Sequence, residues 1–345
     1  MTTEVFEVTE KSNSILEKAA KLIRDGALVG IPTETVYGLG ANAYDGKACL
    51  NIFKAKGRPA DNPLIVHIAK VEDAEKIAYT CPLYYKLAER FMPGPLTVIM
   101  PKKDVIPPEV TAGLDSVAVR CPVNKIASRL IELAGVPIAA PSANKSGMPS
   151  PTTAQHVFND MNGEIPLILD GGGCEVGVES TVISVKDDSI VLLRPGKITY
   201  EMLREVCENV TVSSAVTEEL KPGETALSPG MKYKHYAPRA NLYLIDDRYI
   251  DFVGFTREKS KTERCAIMCY NEEISCYCEE ILLPVGDSND VKEQTRRLFN
   301  ILRKADDIGV ETIYAHMPSK EGESLAIYNR MIRACAHRII GGKNG

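Results

Sequence analysis

Short apolar runs alternate with amphipathic helical segments along most of this chain, and that alternation limits its fold more than any other feature. Glycine and proline residues separate the runs, as at Gly26 and Pro59. A chain of this kind builds a sheet covered by helices, because each apolar strand must be buried against another layer. The sequence therefore predicts an α/β protein.

Several elements have recognisable ends in the sequence. A helix is predicted over 13–25, stopping near Gly26. A second helix is predicted between Asp45, a suitable N-cap, and Gly57, a suitable C′ residue. The strand candidates are 27–31, 64–69, 96–100, 116–120 and 167–170, followed by a hairpin that turns at Asp187 and Asp188.

The alternating pattern is interrupted once, over residues 213–239. This stretch has no sustained period and is rich in proline and glycine, so it predicts a long linker. Its length makes it a candidate functional element. Strand and helix patterns resume afterwards, which predicts a catalytic α/β domain at 1–212 and a small Rossmann-like α/β domain at 240–345.

Composition predicts a cytoplasmic protein without a membrane span. The 345 residues carry a net charge of −5, and apolar stretches are broken by charges well before the roughly 20 residues that a membrane span needs. The first residues are polar and acidic, unlike a secretory signal. Ten cysteines without such a signal indicate reduced thiols.

Four cysteines stand close together, at Cys265, Cys269, Cys276 and Cys278. Their spacing does not match that of a zinc ribbon or finger. Because apolar residues surround them, we interpret them as packing thiols of buried strands and expect no metal site there.

The standard nucleotide loops are missing from the sequence. Gly46 and Lys47 are followed by Ala48, not by the serine or threonine of a P-loop, and 171–177 lacks the Rossmann glycine spacing. Any phosphate site must therefore be built from side chains and irregular loops.

Residues 54–64, "KAKGRPADNPL", concentrate Lys54, Lys56 and Arg58 where a helix should end. Cations in a last helical turn stabilise the helix dipole, and this explanation requires no ligand. Because Arg58 lies beyond the helix, an anion site is an equally good explanation. The residues alone leave both open.

Two further stretches place polar groups directly after apolar strands. Residues 138–152 form a loop rich in hydroxyl and amide side chains, and Thr33, Glu34 and Thr35 follow the strand at 27–31. Such loops are the usual setting for substrate contacts, although ordinary turns use the same residue types.

Together, "PTETVYGLG", "KAKGRPADNPL", "VAVRCP", "PSANKSG" and "LRPG" resemble the signature segments of the YrdC-like domain of threonylcarbamoyl-AMP synthases. The segment "SPGMKYKHYAP", residues 228–238, resembles the hallmark of the long, two-domain branch of that family. The resemblance implies a YrdC-like twisted mixed sheet with helices around a concave cleft, and a C-terminal Rossmann-like domain.

The resemblance also implies a reaction. A nucleotidyltransferase would convert L-threonine, bicarbonate or CO2, and ATP into threonylcarbamoyl-AMP, pyrophosphate and water, through N-carboxy-threonine. ATP would come with Mg²⁺, and no tightly bound cofactor is expected. Downstream tRNA threonylcarbamoyl-transferase proteins would move the group onto the adenosine next to the anticodon; a weak direct contact with tRNA is left open.

Family positions imply roles for individual residues. The catalytic polar tetrad would be Lys56, Arg58, Ser142 and Asn144. ATP would contact Arg58, Asn62, Ser116, Ser142, Ser150, Arg194 and Tyr236. Threonine would contact Thr35, His67, Arg120, Ala140 and Ser180, with Arg120 on its carboxylate. Taken alone, His67 reads as a satisfied core histidine and Ser180 as a strand residue; no residue is expected to ligate a metal.

Three alternatives accompany these expectations. Lys232, Lys234, His235 and Tyr236 would fold over the loaded site, unless the linker is an exposed tether. The second alternative is that the chain is a related carbamoyl-transfer domain of hydrogenase maturation. That domain belongs to a much larger chain with additional domains, and no such domains fit this sequence. An RNA-binding module is disfavoured because residues 1–212 carry a net charge of −4.

Overall fold

The computed structural model of the protein describes residues 2–218 and 236–341. These residues divide into two compact units. The first comprises 2–146 and 150–218, and the second comprises 147–149 and 236–341.

The first unit is built on one large mixed sheet. Within the described residues its strands are β1 (Glu4–Glu7), β2 (Val29–Ile31), β3 (Gly38–Asn42), β4 (Ile65–His67), β5 (Leu96–Pro101), β6 (Ser116–Arg120), β7 (Ile138–Ala139), β8 (Leu167–Asp170), β9 (Thr181–Lys186), β10 (Ser189–Arg194) and β11 (Asn209–Val212). Their spatial order is β1-β8-β2-β3-β7-β4-β6-β5-β9-β10-β11. The strands predicted from the apolar runs are all present, and β9 and β10 form the predicted hairpin.

Helices pack against this sheet. They are α1 (Asn13–Arg24), α2 (Gly46–Lys56), α3 (Pro82–Phe91), α4 (Pro108–Thr111), α5 (Lys125–Ala134), α6 (Ala154–Met161) and α7 (Tyr200–Arg204). The buried residues of α1 recur at helical spacing and lie in a core cluster with those of α5. The mixed sheet with its helices confirms the predicted α/β class.

The ends of α2 follow the local chemistry of the sequence. The Asp45 carboxylate accepts hydrogen bonds from the backbone N–H groups of Lys47 and Ala48. Gly57 adopts φ 64° and ψ 43°, a left-handed conformation that suits glycine. Both predicted caps are therefore confirmed, and the helix delivers Lys56 to a fixed position.

The second unit is a smaller α/β domain. Its strands in the described part of the chain are β12 (Asn241–Ile245), β13 (Cys265–Met268), β14 (Ile281–Leu282), β15 (Thr312–His316) and β16 (Ile339–Ile340). All pair in parallel, in the order β14-β13-β15-β12-β16. The accompanying helices are α8 (Phe252–Ser260), α9 (Val291–Ile308) and α10 (Ser324–Ala334). The arrangement confirms the predicted Rossmann-like fold.

The prediction for the four clustered cysteines was half right. Cys265 and Cys269 are buried in and just after β13, whereas Cys276 and Cys278 are exposed. The strand ends at Met268 and a 3-10 turn follows at the surface, so the later two thiols cannot belong to the strand.

Among the described residues, no helix combines the length and the apolar composition that crossing a membrane would require.

Candidate active site

One face of the large sheet carries a row of polar side chains. His67 ends β4 and stands in register with Arg120, which ends β6. Arg120 is in turn in register with Thr97 of β5. Directly paired residues project from the same face of a sheet. These three side chains therefore lie side by side, and Thr97 continues the row to Ser180, whose hydroxyl lies 2.8 Å from its own. We call these four residues the polar row.

Apolar residues flank the polar row on the same face. Two positions along their strands from His67, Thr97 and Arg120 lie Ile65, Ile99 and Ala118, which form a small buried cluster of their own with Val182 and Leu193. The alternate residues of the same strands, including Val66, Val98 and Val119, belong to the main core. One face of the sheet thus packs in the main core, and the other carries the polar row next to a small apolar cluster.

Arg120 is buried and faces an acidic partner. Its guanidinium Nη2 lies 2.7 Å from the Glu34 carboxylate Oε1, and the side chains are only 4% and 5% exposed. Glu34 belongs to the segment after β2, whose backbone is fixed by a 2.8 Å hydrogen bond from the Val176 N–H to the Glu34 carbonyl. The sequence singled out Arg120 as a ligand-binding residue but gave Glu34 no role.

His67 is held in its neutral form. Burial and the neighbouring charge of Arg120 lower the pKa of His67 to about 3. Its Nδ1 has no hydrogen-bond partner among the described residues. A neutral imidazole with one unused nitrogen, placed beside Arg120, is suited to a hydroxyl group of a ligand. The ligand-binding role of His67 stays a prediction.

Arg194 joins the polar row at Ser180. Its Nε donates to the Ser180 carbonyl at 3.0 Å, and its Nη2 donates to the Ser180 hydroxyl at 3.2 Å. Arg194 is only 6% exposed. The structure therefore brings a residue expected to bind ATP next to one expected to bind threonine.

Lys56 holds the loop after β7 in place through hydrogen bonds. Its ammonium donates to the Ser142 carbonyl, to the Asn144 carbonyl at 2.6 Å and to the Asn144 Oδ1 at 3.4 Å. The Ser142 hydroxyl also donates to the Asn144 Oδ1, at 2.6 Å. We call this group the lysine clamp. It brings together three of the four residues of the expected tetrad.

Arg58, the fourth, lies close by in sequence with Asn62. Its Nη2 donates to the Asn62 carbonyl at 3.1 Å, and its guanidinium lies 5.6 Å from the centre of the Phe53 ring. The Asn62 side chain is fully buried, and neither atom of its amide has a hydrogen-bond partner among the described residues. Lys54 is exposed. Two of the three clustered cations thus point inwards, and Lys54 fits the helix-dipole explanation.

The remaining expected residues fall into different places. The hydroxyl of Ser150 donates to the buried Glu179 carboxylate. The hydroxyl of Thr35 lies 2.9 Å from that of Thr33.

Ala140 is buried, and its backbone N–H donates to the Ile65 carbonyl at 2.9 Å, which places it directly after β7. Ser116 begins β6, four residues before Arg120 and therefore about 13 Å along the strand from it. The structure does not place Ser116 in the polar row.

Tyr236 belongs to the second unit, where its ring stacks on Phe299 with centroids 5.3 Å apart. Its role in ATP binding stays a prediction. Lys232, Lys234 and His235 lie outside the described residues.

Sequence reasoning named neither Thr97 nor Glu179, and it placed Glu34 only in a polar segment suited to substrate contacts. Thr97 carried a usable signal, because a threonine in the apolar strand at 96–100 must face one side of the sheet. Glu179 carried none that separates it from a surface glutamate, because its partner Ser150 is distant in sequence. The polar segment after β2 drew attention to Glu34, but no local pattern encodes its pairing with Arg120.

Comparisons with known proteins extend over nearly the whole chain. A family model described as "Telomere recombination" matches residues 21–196, and one described as "Threonylcarbamoyl-AMP synthase, C-terminal domain" matches 198–336. A curated threonylcarbamoyl-AMP synthase of Pyrococcus abyssi is 46% identical, over 93% of this chain and 94% of its own. That of Bacillus subtilis is 42% identical, over 94% of each.

Solved structures agree with these relatives. The crystal structure of Pyrococcus abyssi Sua5 complexed with L-threonine is 43% identical, has a TM-score of 0.87 and covers 98% of both chains. A structure of a double-alanine variant of the same protein has a TM-score of 0.89, covering 99% of this chain and 98% of its own.

Proposed function

The chain belongs to the threonylcarbamoyl-AMP synthase family, and we propose that its polar row binds the L-threonine from which the product is made. The enzyme joins L-threonine, bicarbonate or CO2, and ATP, and releases pyrophosphate and water. The product supplies the threonylcarbamoyl group for tRNA modification. Different residues serve the threonine and the nucleotide.

Arg120 binds the carboxylate of threonine. A guanidinium offers two parallel N–H donors that match a carboxylate, and burial strengthens that pairing because little water competes for it. Neutral His67 and the hydroxyls of Thr35 and Ser180 bind the threonine hydroxyl; the places of His67 and Ser180 in the polar row support their part of this proposal. The backbone near Ala140 completes the pocket.

Arg58 and Arg194 supply positive charge to the triphosphate. In the reaction a carbamate oxygen attacks the α-phosphorus and pyrophosphate leaves, so two anionic groups must approach each other. Fixed cations stabilise that approach more than a strong base would. Asn62, Ser142 and Ser150 add neutral donors, and ATP contacts of Ser116 and Tyr236 are proposed from the family resemblance alone. The unused amide of Asn62 supports its assignment.

Lys56 acts through the loop that it holds. Its three N–H donors can all be used by the oxygens of Ser142 and Asn144. We therefore assign it a positioning role: the lysine clamp fixes the hydroxyl of Ser142 and the amide of Asn144 for contact with the nucleotide.

The observation that carries this proposal is the polar row itself, in which Arg120, His67 and Ser180 meet on one buried face of the sheet. The test is pyrophosphate release by the purified protein with ATP, bicarbonate and single amino acids. Release should require both threonine and bicarbonate. Release that needs neither would contradict the proposal.

The setting of the enzyme is inferred from the same chemistry. Mg²⁺ accompanies ATP as its counter-ion, and no tightly bound cofactor takes part. The catalytic domain spans 1–212, the linker 213–239 and the second domain 240–345. The enzyme works in the cytoplasm, and separate transferase proteins consume the adenylate.

A further inference from the structure

Glu34 poses a problem if Arg120 alone binds an amino acid. The Glu34 carboxylate lies 2.7 Å from the guanidinium that receives the ligand carboxylate, and both side chains are buried. Two carboxylates at one arginine repel each other at such short range. A site built only for a carboxylate would be better without Glu34.

The hydrogen-bonding state of this pair is equally informative. Neither oxygen of Glu34, nor Nε or Nη2 of Arg120, makes an aligned hydrogen bond to the described residues. The 2.7 Å approach is therefore an ion pair without hydrogen-bond geometry. Buried charges without hydrogen bonds are costly, so both groups retain capacity for a ligand.

We propose that Glu34 binds the α-amino group of the amino-acid substrate. A free amino acid carries a carboxylate and an amino group on one carbon, and the Arg120–Glu34 pair presents the opposite charges side by side. The ligand's carboxylate takes the N–H donors of Arg120, and its amino group donates to the oxygens of Glu34. This inference rests on the proposed function and adds a substrate-recognition residue to it.

The segment that carries Glu34 is rigid enough for this role. The hydroxyl of Thr33 donates to the Val36 carbonyl at 2.6 Å, and the backbone N–H groups of Val176 and Gly177 donate to the carbonyls of Glu34 and Thr35 at 2.8 and 3.2 Å. The backbone that carries the Glu34 carboxylate is thus fixed before the ligand arrives. Pre-organised charged groups lose little conformational entropy on binding, which makes them selective.

The Arg120–Glu34 pair also predicts that the site prefers amino acids to hydroxy acids. A hydroxy acid such as 3-hydroxybutanoate keeps the carboxylate and hydroxyl of threonine but lacks its amino group. It would leave the Glu34 carboxylate buried beside a second carboxylate with no donor between them. We expect the site to reject it.

The experiment measures binding of L-threonine and of 3-hydroxybutanoate by calorimetry to the wild-type protein and to Glu34→Gln. Wild type should bind threonine roughly 30-fold more tightly than the analogue, the size expected for a lost charge-assisted hydrogen bond. In Glu34→Gln the threonine affinity should fall and the preference should shrink to about threefold or less. If Glu34 only held Arg120 in place, both ligands would weaken equally and the 30-fold preference would remain, which overturns the proposal.

A matched control is Glu175→Gln, which removes the same charge from an exposed side chain near the segment that holds Glu34. It should bind both ligands as the wild type does. Should Glu34→Gln fail to fold, Glu34→Asp takes its place: shortening the side chain by one methylene withdraws the carboxylate and should reduce the roughly 30-fold preference for threonine, and an unchanged preference overturns the inference.

Failure of this inference differs from failure of the proposed function. A wild-type protein that neither binds threonine nor releases pyrophosphate with it contradicts the function. A wild-type protein that does both, while Glu34→Gln keeps the full preference for the amino group, contradicts only the role of Glu34.

Discussion

At the scale of single residues, the site is defined by which cations are buried. Lys54 and Lys56 occupy the same last turn of α2, yet Lys54 is exposed and Lys56 is 3% exposed. The difference of two positions turns the side chains to different sides of the helix. The helix dipole accounts for Lys54, whereas Lys56 needs the oxygens of the loop after β7 to justify its burial.

We expect Lys56→Met to lower the rate of threonylcarbamoyl-AMP formation by about 100-fold and to destabilise the first unit by about 2–4 kcal/mol, because it leaves the oxygens of Ser142 and Asn144 without a donor. Lys54→Met, made in parallel, should stay within about 0.5 kcal/mol of wild type and keep its activity. Denaturant unfolding and a product assay measure both. Equal losses in the two variants would show that the lysine clamp has no special role.

At the scale of elements, short-range chemistry fixes where helices begin and end. Gly57 ends α2 in the left-handed region, and an added Cβ there would meet no atom within 4 Å. The only cost of a side chain at this position is therefore that of the backbone conformation.

Gly57→Ala should destabilise the protein by about 1 kcal/mol, since alanine disfavours positive φ. It should also loosen the turn that leads to Arg58. Gly173→Ala is the control, because Gly173 likewise has open space around it but no positive φ. Thermal unfolding of both variants tests this; a Gly173→Ala effect as large as that of Gly57→Ala would mean that the turn conformation is not what matters.

The elements also show how far the sequence could predict the site. Asp45 and Gly57 act on neighbours within a few positions, so α2 and its caps were predictable. The hydrogen bond between Thr97 and Ser180 spans 83 positions, and no local pattern encodes it. The sequence indicates only that Glu34 lies in a polar loop, and the folded sheet is what places Arg120 beside it. Strand order, which the sequence leaves undetermined, decided the composition of the polar row.

At the scale of the whole molecule, each unit contains a buried histidine with a shifted pKa, and the two shifts have opposite signs. In the second unit His316 donates or accepts hydrogen bonds with Asp247 at 2.7 Å and with Glu273 at 2.9 Å, between the rings of Phe252 and Tyr270. Burial alone would lower the pKa of His316, but its hydrogen bonds and ion pairs with these two carboxylates outweigh burial and raise it. In the first unit the pKa of His67 falls to about 3.

The two histidines should therefore make opposite contributions to the pH dependence of stability of their units. Unfolded histidine titrates near pH 6.5. Between pH 7.5 and 5.5 His67 becomes protonated in the unfolded state but stays neutral in the folded state. Acidification should therefore lower the free energy of unfolding of the first unit by about 1 kcal/mol through this residue. His316 holds its proton in the folded state. Its contribution to the stability of the second unit is complete below pH 6.5. That contribution is lost as the pH rises through the raised pKa that His316 has in the folded state.

Segment-resolved hydrogen exchange at pH 5.5 and 7.5, corrected for the intrinsic exchange rate at each pH, reads the two units separately. Subtracting the profiles of His67→Asn and His316→Asn from wild type removes the contributions of all other groups. The His67 difference should diminish on acidification, and the His316 difference should diminish as the solution becomes alkaline. If both differences changed in the same direction, at least one histidine would not have the environment described, and the neutral form of His67 that we propose for threonine binding would have to be abandoned first.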